Sequence, residues 1–186
     1  MARTADTAIW FRETLEDESA FRAWYDGALP RVYGYLLHRC GGQRSVAEDL
    51  TQEAFVELVR SRRSFDGRSD PMTWVIGIAR HKLADHFRRL AREERKRLRV
   101  VRGPVANDAS TETWAASERR QEIWRAMERL PTMQRAALTL HYMDDLPVSA
   151  VAAELGKSEA AIGSLLARGR ETLRRELPTL NEVDDD

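Results

Sequence analysis

Val46, Leu50, Ala54 and Leu58 stand at i, i+4, i+8 and i+12, and Val75, Ala79, Leu83 and Phe87 repeat the same interval. Residues at that spacing share one face of an α-helix, whereas a half-buried strand alternates at every second position. Alternating patterns are nearly absent from the rest of the chain. The chain therefore reads as all-α.

Following the period along the sequence gives an ordered set of helices. Phe21, Trp24, Tyr25 and Ala28 form a stripe that Val32, Tyr35 and Leu36 continue beyond Pro30. Pro30 lacks a backbone N–H and is expected to bend or restart that helix. Gly41-Gly42 supplies a turn. The Val46–Leu58 stripe, opposite Glu48, Gln52 and Arg60, predicts an amphipathic helix of about four turns. The segment SFDGRSDP is rich in turn formers and predicts a loop, with Ser69 or Asp70 capping a helix that has Pro71 in its first turn. That helix should run to about Arg97 with Val75, Ala79, Leu83, Phe87 and Leu90 on its buried face.

From about residue 100 to 117 the period disappears and Gly, Pro, Asn, Ser and Thr accumulate, the signature of a flexible linker. Beyond it, Ile123, Met127 and Leu130 align on a helix that Pro131 ends or interrupts, and TMQRAALTLHYMDDL predicts another. A short helix carrying Val148, Val151, Ala152 and Leu155 stops at Gly156. A second begins with Ser158 as its N-cap and buries Ile162, Leu165, Leu166, Leu173 and Leu177. Two helices joined by a tight Gly-containing turn form a helix-turn-helix pattern. The expected organisation is a first helical domain over 1–99, a linker over 100–117, a helix-turn-helix domain over 118–177 and an acidic tail over 178–186. A length of 186 residues suits two small domains.

The charge is balanced overall, 30 Lys plus Arg against 30 Asp plus Glu, but it is segregated. Residues 1–30 carry three basic and six acidic side chains, and the last ten residues carry four acidic and none basic. Between Arg80 and Arg102 lie ten basic and three acidic residues. A block of that kind concentrates a polyanion locally whatever the total charge. Within it, Arg80, Ala84, Arg88 and Arg92 stand four residues apart, a rise of about 6 Å per step. Guanidinium groups at that pitch can follow a phosphate backbone and displace its condensed counterions. His81 and Asp85 lie beside the row and could hydrogen-bond base edges. Phe65, Trp74 and Phe87 are close by; aromatics beside arginines suit unstacked bases, although core packing is the better reading of Trp74 and Phe87. In the last long helix, Ser164, Arg168 and Arg170 project away from the apolar side, as on a helix that reads the major groove.

Catalytic readings fare poorly. No nucleotide-binding glycine motif or nucleophile elbow is present. His38, His81, His86 and His141 lack metal-ligand spacing, so no metal, cofactor or catalytic residue is expected. Cys40, the single cysteine, cannot close an internal disulfide, which fits a reducing compartment. No apolar run approaches the ~20 residues that span a bilayer, and the N-terminus lacks a signal pattern. A soluble, cytoplasmic protein without membrane insertion is the expectation.

Two blocks resemble the bacterial extracytoplasmic-function (ECF) sigma factors, the compact specificity subunits of RNA polymerase. AEDLTQEAFVELVRSRRSFDGRSDPMTWVIGIARHKLADHFRR looks like the family's core-binding and minus-ten-recognising region. LPTMQRAALTLHYMDDLPVSAVAAELGKSEAAIGSLLARGRETLRREL looks like its minus-thirty-five-recognising domain. Order and linker length match as well. The resemblance implies a transcription initiation factor, not itself an enzyme, whose partners are core RNA polymerase, promoter DNA and an inhibitory anti-sigma factor. It puts Asp49, Gln52, Glu53, Phe55 and Val56 where the family docks on the clamp helices of the polymerase's largest subunit. It puts the loop Phe65, Asp66, Arg68 and Ser69, to Asp70, where a flipped non-template base is held. Arg80, His81, Arg88 and Arg89 fall on the helix that meets the melted minus-ten strand, continued by Arg92. Ser164, Ala167, Arg168 and Arg170 fall on the minus-thirty-five recognition helix. The sequence departs from the family pattern at His81, usually Asn, at Met72, usually aromatic, and at Ala161, Gly163 and Leu165, where Thr, a basic residue and Arg are usual.

Two other readings compete. A helix-turn-helix regulator acting without core polymerase would use the last helix alone, but leaves the acidic helix around Asp49 and the second basic helix unexplained. A helical adaptor that binds no DNA leaves the block from Arg80 to Arg102 unexplained.

Overall fold

The computed structural model describes residues 2–100 and 118–177, and every regular element among them is helical. The acidic tail and all but the first residue of the expected linker lie outside the described residues. The elements are α1 (Ala2–Glu16), α2 (Glu18–Arg39), α3 (Arg44–Arg60), a single 3-10 turn (Arg62–Ser64), α4 (Pro71–Val100), α5 (Glu118–Glu128), α6 (Thr132–Leu138) with a π-helical continuation (Thr139–Met143), α7 (Val148–Leu155) and α8 (Glu159–Glu176). Packing divides the chain into two compact units, residues 1–83 and 84–186.

In the first unit, Asp17 caps α2: its Oδ1 accepts a hydrogen bond from the Ala20 N–H at 2.7 Å. α2 continues through Pro30 without a break. An interior proline costs about 3 kcal/mol, and here Ala28, Val32 and Leu36, buried on both sides of it, hold the two halves to one core. Gly41 and Gly42, with φ of 68° and 82°, then reverse the chain into α3, a conformation open to glycine at little cost. α3 buries Ala47, Leu50, Ala54, Phe55 and Leu58. α1, for which the sequence reading has no counterpart, inserts the fully buried Phe11 into an aromatic cluster with Trp24, Phe65 and Trp74, at centroid separations of 4.9, 5.2 and 6.1 Å.

The start of α4 is capped as expected, by Asp70. Its Oδ1 accepts from the Met72 and Thr73 N–H groups at 2.9 and 3.1 Å, and its other oxygen accepts from the Thr73 hydroxyl. The Thr73 hydroxyl, first, and the backbone donors hold the Asp70 carboxyl below its ordinary value, against the opposing effect of burial. Asp70→Ala should cost about 1–2 kcal/mol of stability at neutral pH. A depressed carboxylate contributes fully above the unfolded-state value and loses that contribution as the pH falls through the folded one. Denaturant melts should therefore separate wild type from Asp70→Ala at pH 7 and bring them together as the pH falls through the lowered folded-state value. A gap that persists in acid would mean that the cap does not act through the carboxylate.

Along α4 the buried row is Val75, Ala79, Leu83, Phe87 and Ala91; Leu90, expected on it, is half-buried. Four-residue steps carry the row on to Ala91. By packing, the two compact units meet within α4, between Leu83 and Ala84. The second half of α4 packs in the second unit, where Glu94 Oε2 accepts from the Thr132 N–H at 3.3 Å and so caps α6, whose own N-cap, Pro131, has no side-chain acceptor.

The helix-turn-helix is formed as read. Gly156 ends α7 in the left-handed region (φ 60°), and Ser158 Oγ accepts from the Ala161 N–H at 3.2 Å to start α8. α8 buries Ile162, Leu166 and Gly169, while Leu165 and Leu173 are half-buried. Gly169 is where α8 meets α6 closely: a Cβ there would lie 2.8 Å from Leu138 Cδ1, a side chain itself buried.

Candidate functional site

Three exposed surfaces carry most of the residues singled out in the sequence. The first is on α3. Asp49, Gln52 and Val56 are exposed at i, i+3 and i+7, flanked by Glu48, Val59 and Arg60, with Glu53 half-buried at the margin. Val56 and Val59 are 48% and 38% exposed, apolar side chains set among carboxylates. Phe55 departs from its expected place on this face. It is 6% exposed and packs edge-on against Tyr25 at 4.6 Å and Trp24 at 6.2 Å, because α2 supplies rings that cover it. Behind the face, Glu57 on α3 pairs with Lys82 on α4 at 3.0 Å, tying the two helices.

The second surface is the loop after the 3-10 turn together with α4. Phe65 cannot present its ring to a ligand. It is 1% exposed, between Phe11 and Trp74, since an aromatic side chain with two rings in reach gains more from the core than from water. The exposed part of the loop is Asp66 and Arg68. Asp66 Oδ1 accepts from the Arg68 N–H at 3.0 Å across Gly67, whose φ is 72°. Ser69 is half-buried.

On α4 the row Arg80, Ala84, Arg88 and Arg92 is not a solvent face, for Ala84 is fully buried. Arg80 and Arg88 are half-buried flanking positions, and the Arg88 guanidinium donates to the Asp85 carboxylate and to the Glu154 carbonyl. The solvent-facing row is rotated by about one position: His81, Arg89, Arg92 and Lys96 are exposed. Lys96 is absent from the sequence-based set.

The third surface is on α8. Ser164, Ala167 and Arg168 are exposed at i, i+3 and i+4. Ser164 Oγ donates to the Ala160 carbonyl at 3.0 Å, and Arg168 Nε donates to the Ser164 carbonyl at 3.2 Å, which lays the arginine stem along the helix. Arg170 is exposed as well, and its Nη1 donates to the Tyr142 hydroxyl at 3.0 Å. Tyr142, 54% exposed at the end of the π-helical turn, belongs to this surface, and nothing in the apolar period of its segment marks it. The missing side chain at Gly163 leaves an exposed gap beside Ser164 and Ala167.

Among the described residues no cluster of His, Cys, Asp and Glu could hold a metal ion, and no helix is long and apolar enough to cross a membrane. The arrangement is one of binding surfaces: an acidic and apolar stripe, a polar loop, a basic helix and a helix-turn-helix.

Comparison with known proteins meets this arrangement at both ends of the chain. Residues 24–93 match the family Sigma-70 region 2, and residues 120–173 match Sigma-70, region 4. The ECF RNA polymerase sigma factor BldN of Streptomyces coelicolor is 35% identical over 169 residues, which cover 87% of this chain and 62% of that relative's length. The ECF RNA polymerase sigma factor SigC of Mycobacterium tuberculosis is 34% identical over 132 residues, 68% of each chain. The sigma factor RpoE of Bartonella quintana, solved in complex with the anti-sigma factor NepR, shares the fold with a TM-score of 0.53 at 24% identity, over 88% of this chain and 98% of that one. With both sigma regions matched in order on an all-helical chain, and a relative above 30% identity covered over two thirds of its length, this chain belongs to the ECF RNA polymerase sigma factors.

Proposed function

We propose that the chain binds core RNA polymerase and directs it to promoters by reading a minus-ten and a minus-thirty-five element, and that an anti-sigma factor holds it inactive until a signal releases it. In this reading Asp49, Gln52, Glu53 and Val56 dock α3 on the clamp helices of the largest subunit. Asp66, Arg68 and Ser69 meet a non-template base of the minus-ten element, and His81, Arg89 and Arg92 follow its backbone. Ser164, Ala167, Arg168 and Arg170 meet the minus-thirty-five element. Catalysis stays with the polymerase, and the work is cytoplasmic, where polymerase and promoters are. The observation that carries the proposal is the acidic-apolar stripe on α3 in the same unit as the polar loop: a regulator that needed only duplex DNA would have no use for the stripe.

The chain alone should bind promoter duplex weakly. Its acidic N-terminal segment and tail repel the polyanion that the basic helix attracts, and a long linker between two reading heads gives each little help from the other. Adding core polymerase should produce sequence-specific binding at physiological salt, measured by fluorescence anisotropy on a labelled promoter. Tight specific binding by the free chain, unchanged by polymerase, would favour the helix-turn-helix regulator instead.

A further inference from the structure

We propose that Arg12 of α1 is a positioning residue for minus-ten base selection, acting through the backbone of the loop that follows the 3-10 turn. The inference rests on the reading that this loop meets a non-template base, and adds the device that holds the loop in shape.

Arg12 reaches across 53 positions of the chain: its Nη2 donates to the Phe65 carbonyl at 2.8 Å and to the Arg63 carbonyl at 3.3 Å. Arg12 is half-buried: the two carbonyls hold its Nη2, while its Nε is buried with no acceptor. Both belong to the chain leading into the loop. At the other end, Asp70 is held by the first backbone donors of α4. Only Asp66, Gly67, Arg68 and Ser69 stand between these anchors, and the turn is set by Gly67 and by the Asp66–Arg68 hydrogen bond. A segment that short has its direction fixed by the peptide planes at its ends. Arg12 holds one of them, the Phe65 carbonyl, and thereby sets the direction in which the exposed Asp66 and Arg68 leave the core.

Phe11 and Arg12 divide the work of α1. The Phe11 ring packs against Phe65 and Trp74 and attaches α1 to the unit through apolar contact. Arg12 acts on backbone oxygens of the chain entering the loop and adds no ring to that cluster. Truncating Arg12 should therefore leave the fold and the α3 docking face in place while releasing the carbonyl that aims the loop. A charge-assisted hydrogen bond lost at a part-buried carbonyl corresponds to a change of about tenfold in an equilibrium that depends on it.

The test uses holoenzyme assembled from core polymerase and full-length chain, with fork-junction promoter DNA in which each non-template position of the minus-ten element carries each of the four bases or an abasic site. Wild type should prefer one base at one position by about tenfold or more. Arg12→Ala should lose most of that preference, with holoenzyme assembly changed by less than about twofold, and Arg12→Lys, which keeps one charged donor, should recover part of it. If Arg12→Ala keeps the wild-type preference, or weakens binding to all bases by one common factor, the positioning role is overturned. Should Arg12→Ala fail to assemble, Arg12→Lys decides: a reduced preference supports the role, and an undiminished one overturns it. A wild-type holoenzyme with no base preference at any minus-ten position would instead overturn the reading of the loop itself, and the role of Arg12 with it.

Discussion

Asp49→Arg together with Glu53→Arg should abolish holoenzyme assembly while leaving the fold intact. Asp49 is exposed, so the folded chain meets its new charge mainly with water, and Glu53 lies half-buried at the margin of the same face, outside the core. Exposed substitutions of this kind usually alter stability by less than about 0.5 kcal/mol. In a complex with a basic partner surface each reversal replaces an attraction by a repulsion, at about 2–5 kcal/mol per residue where the pair is desolvated. Two such losses exceed what an interface of ordinary affinity retains. Phe55→Ala supplies the contrast, because Phe55 is in the core: it should cost about 3–5 kcal/mol of stability and weaken assembly only by unfolding the chain. Size-exclusion of the chain with core polymerase, beside denaturant melts of the chain alone, separates the two kinds of loss. A double reversal that still assembles and transcribes would remove α3 from the docking site.

The second large effect separates the two proposed DNA surfaces. Arg168→Ala should weaken recognition of the minus-thirty-five element by about 1–3 kcal/mol, with a loss that depends on the sequence of that element. Arg92→Ala should weaken binding across promoters and make the salt dependence shallower by about one unit of slope, because a phosphate contact carries little sequence information. Arg88→Ala should behave differently from Arg92→Ala: its guanidinium already serves Asp85 and the Glu154 carbonyl. Holoenzyme titrations over a range of salt, on promoters with intact and scrambled upstream elements, decide the matter. An equal loss from Arg168→Ala on both promoters would make that arginine a phosphate anchor.

The all-helical class, the two matched regions and the turn at Gly156 were legible because each rests on local chemistry: a four-residue apolar interval, a cap, a residue free to adopt positive φ. What was not legible depends on a second element. α1 escaped because Ala8, Phe11 and Thr14 are buried while Ile9 and Trp10 are 53% and 52% exposed, so two large apolar side chains on the outer face blur its period. Phe55 and Phe65 have the composition of surface hot spots, and their burial follows only once α2 and α1 bring Tyr25, Trp24 and Phe11 against them. On α4 the basic row was placed one position off, because helical spacing alone does not say that Ala84, a small residue, faces the interior. Gly169 carried no signal at all, since a close approach between helices is a property of the pair and is seen only when Leu138 is opposite.

The most direct measurement of the central claim is transcription from fragmented bacterial genomic DNA by purified core polymerase, with and without the chain, followed by mapping of the RNA start sites. The account predicts starts that require the chain and lie downstream of one shared pair of sequence blocks. Asp49→Arg with Glu53→Arg should eliminate these starts, and Arg168→Ala should deplete them mainly where the upstream block is strong. Start sites unaltered by the chain, with the chain binding a specific duplex on its own, would contradict it.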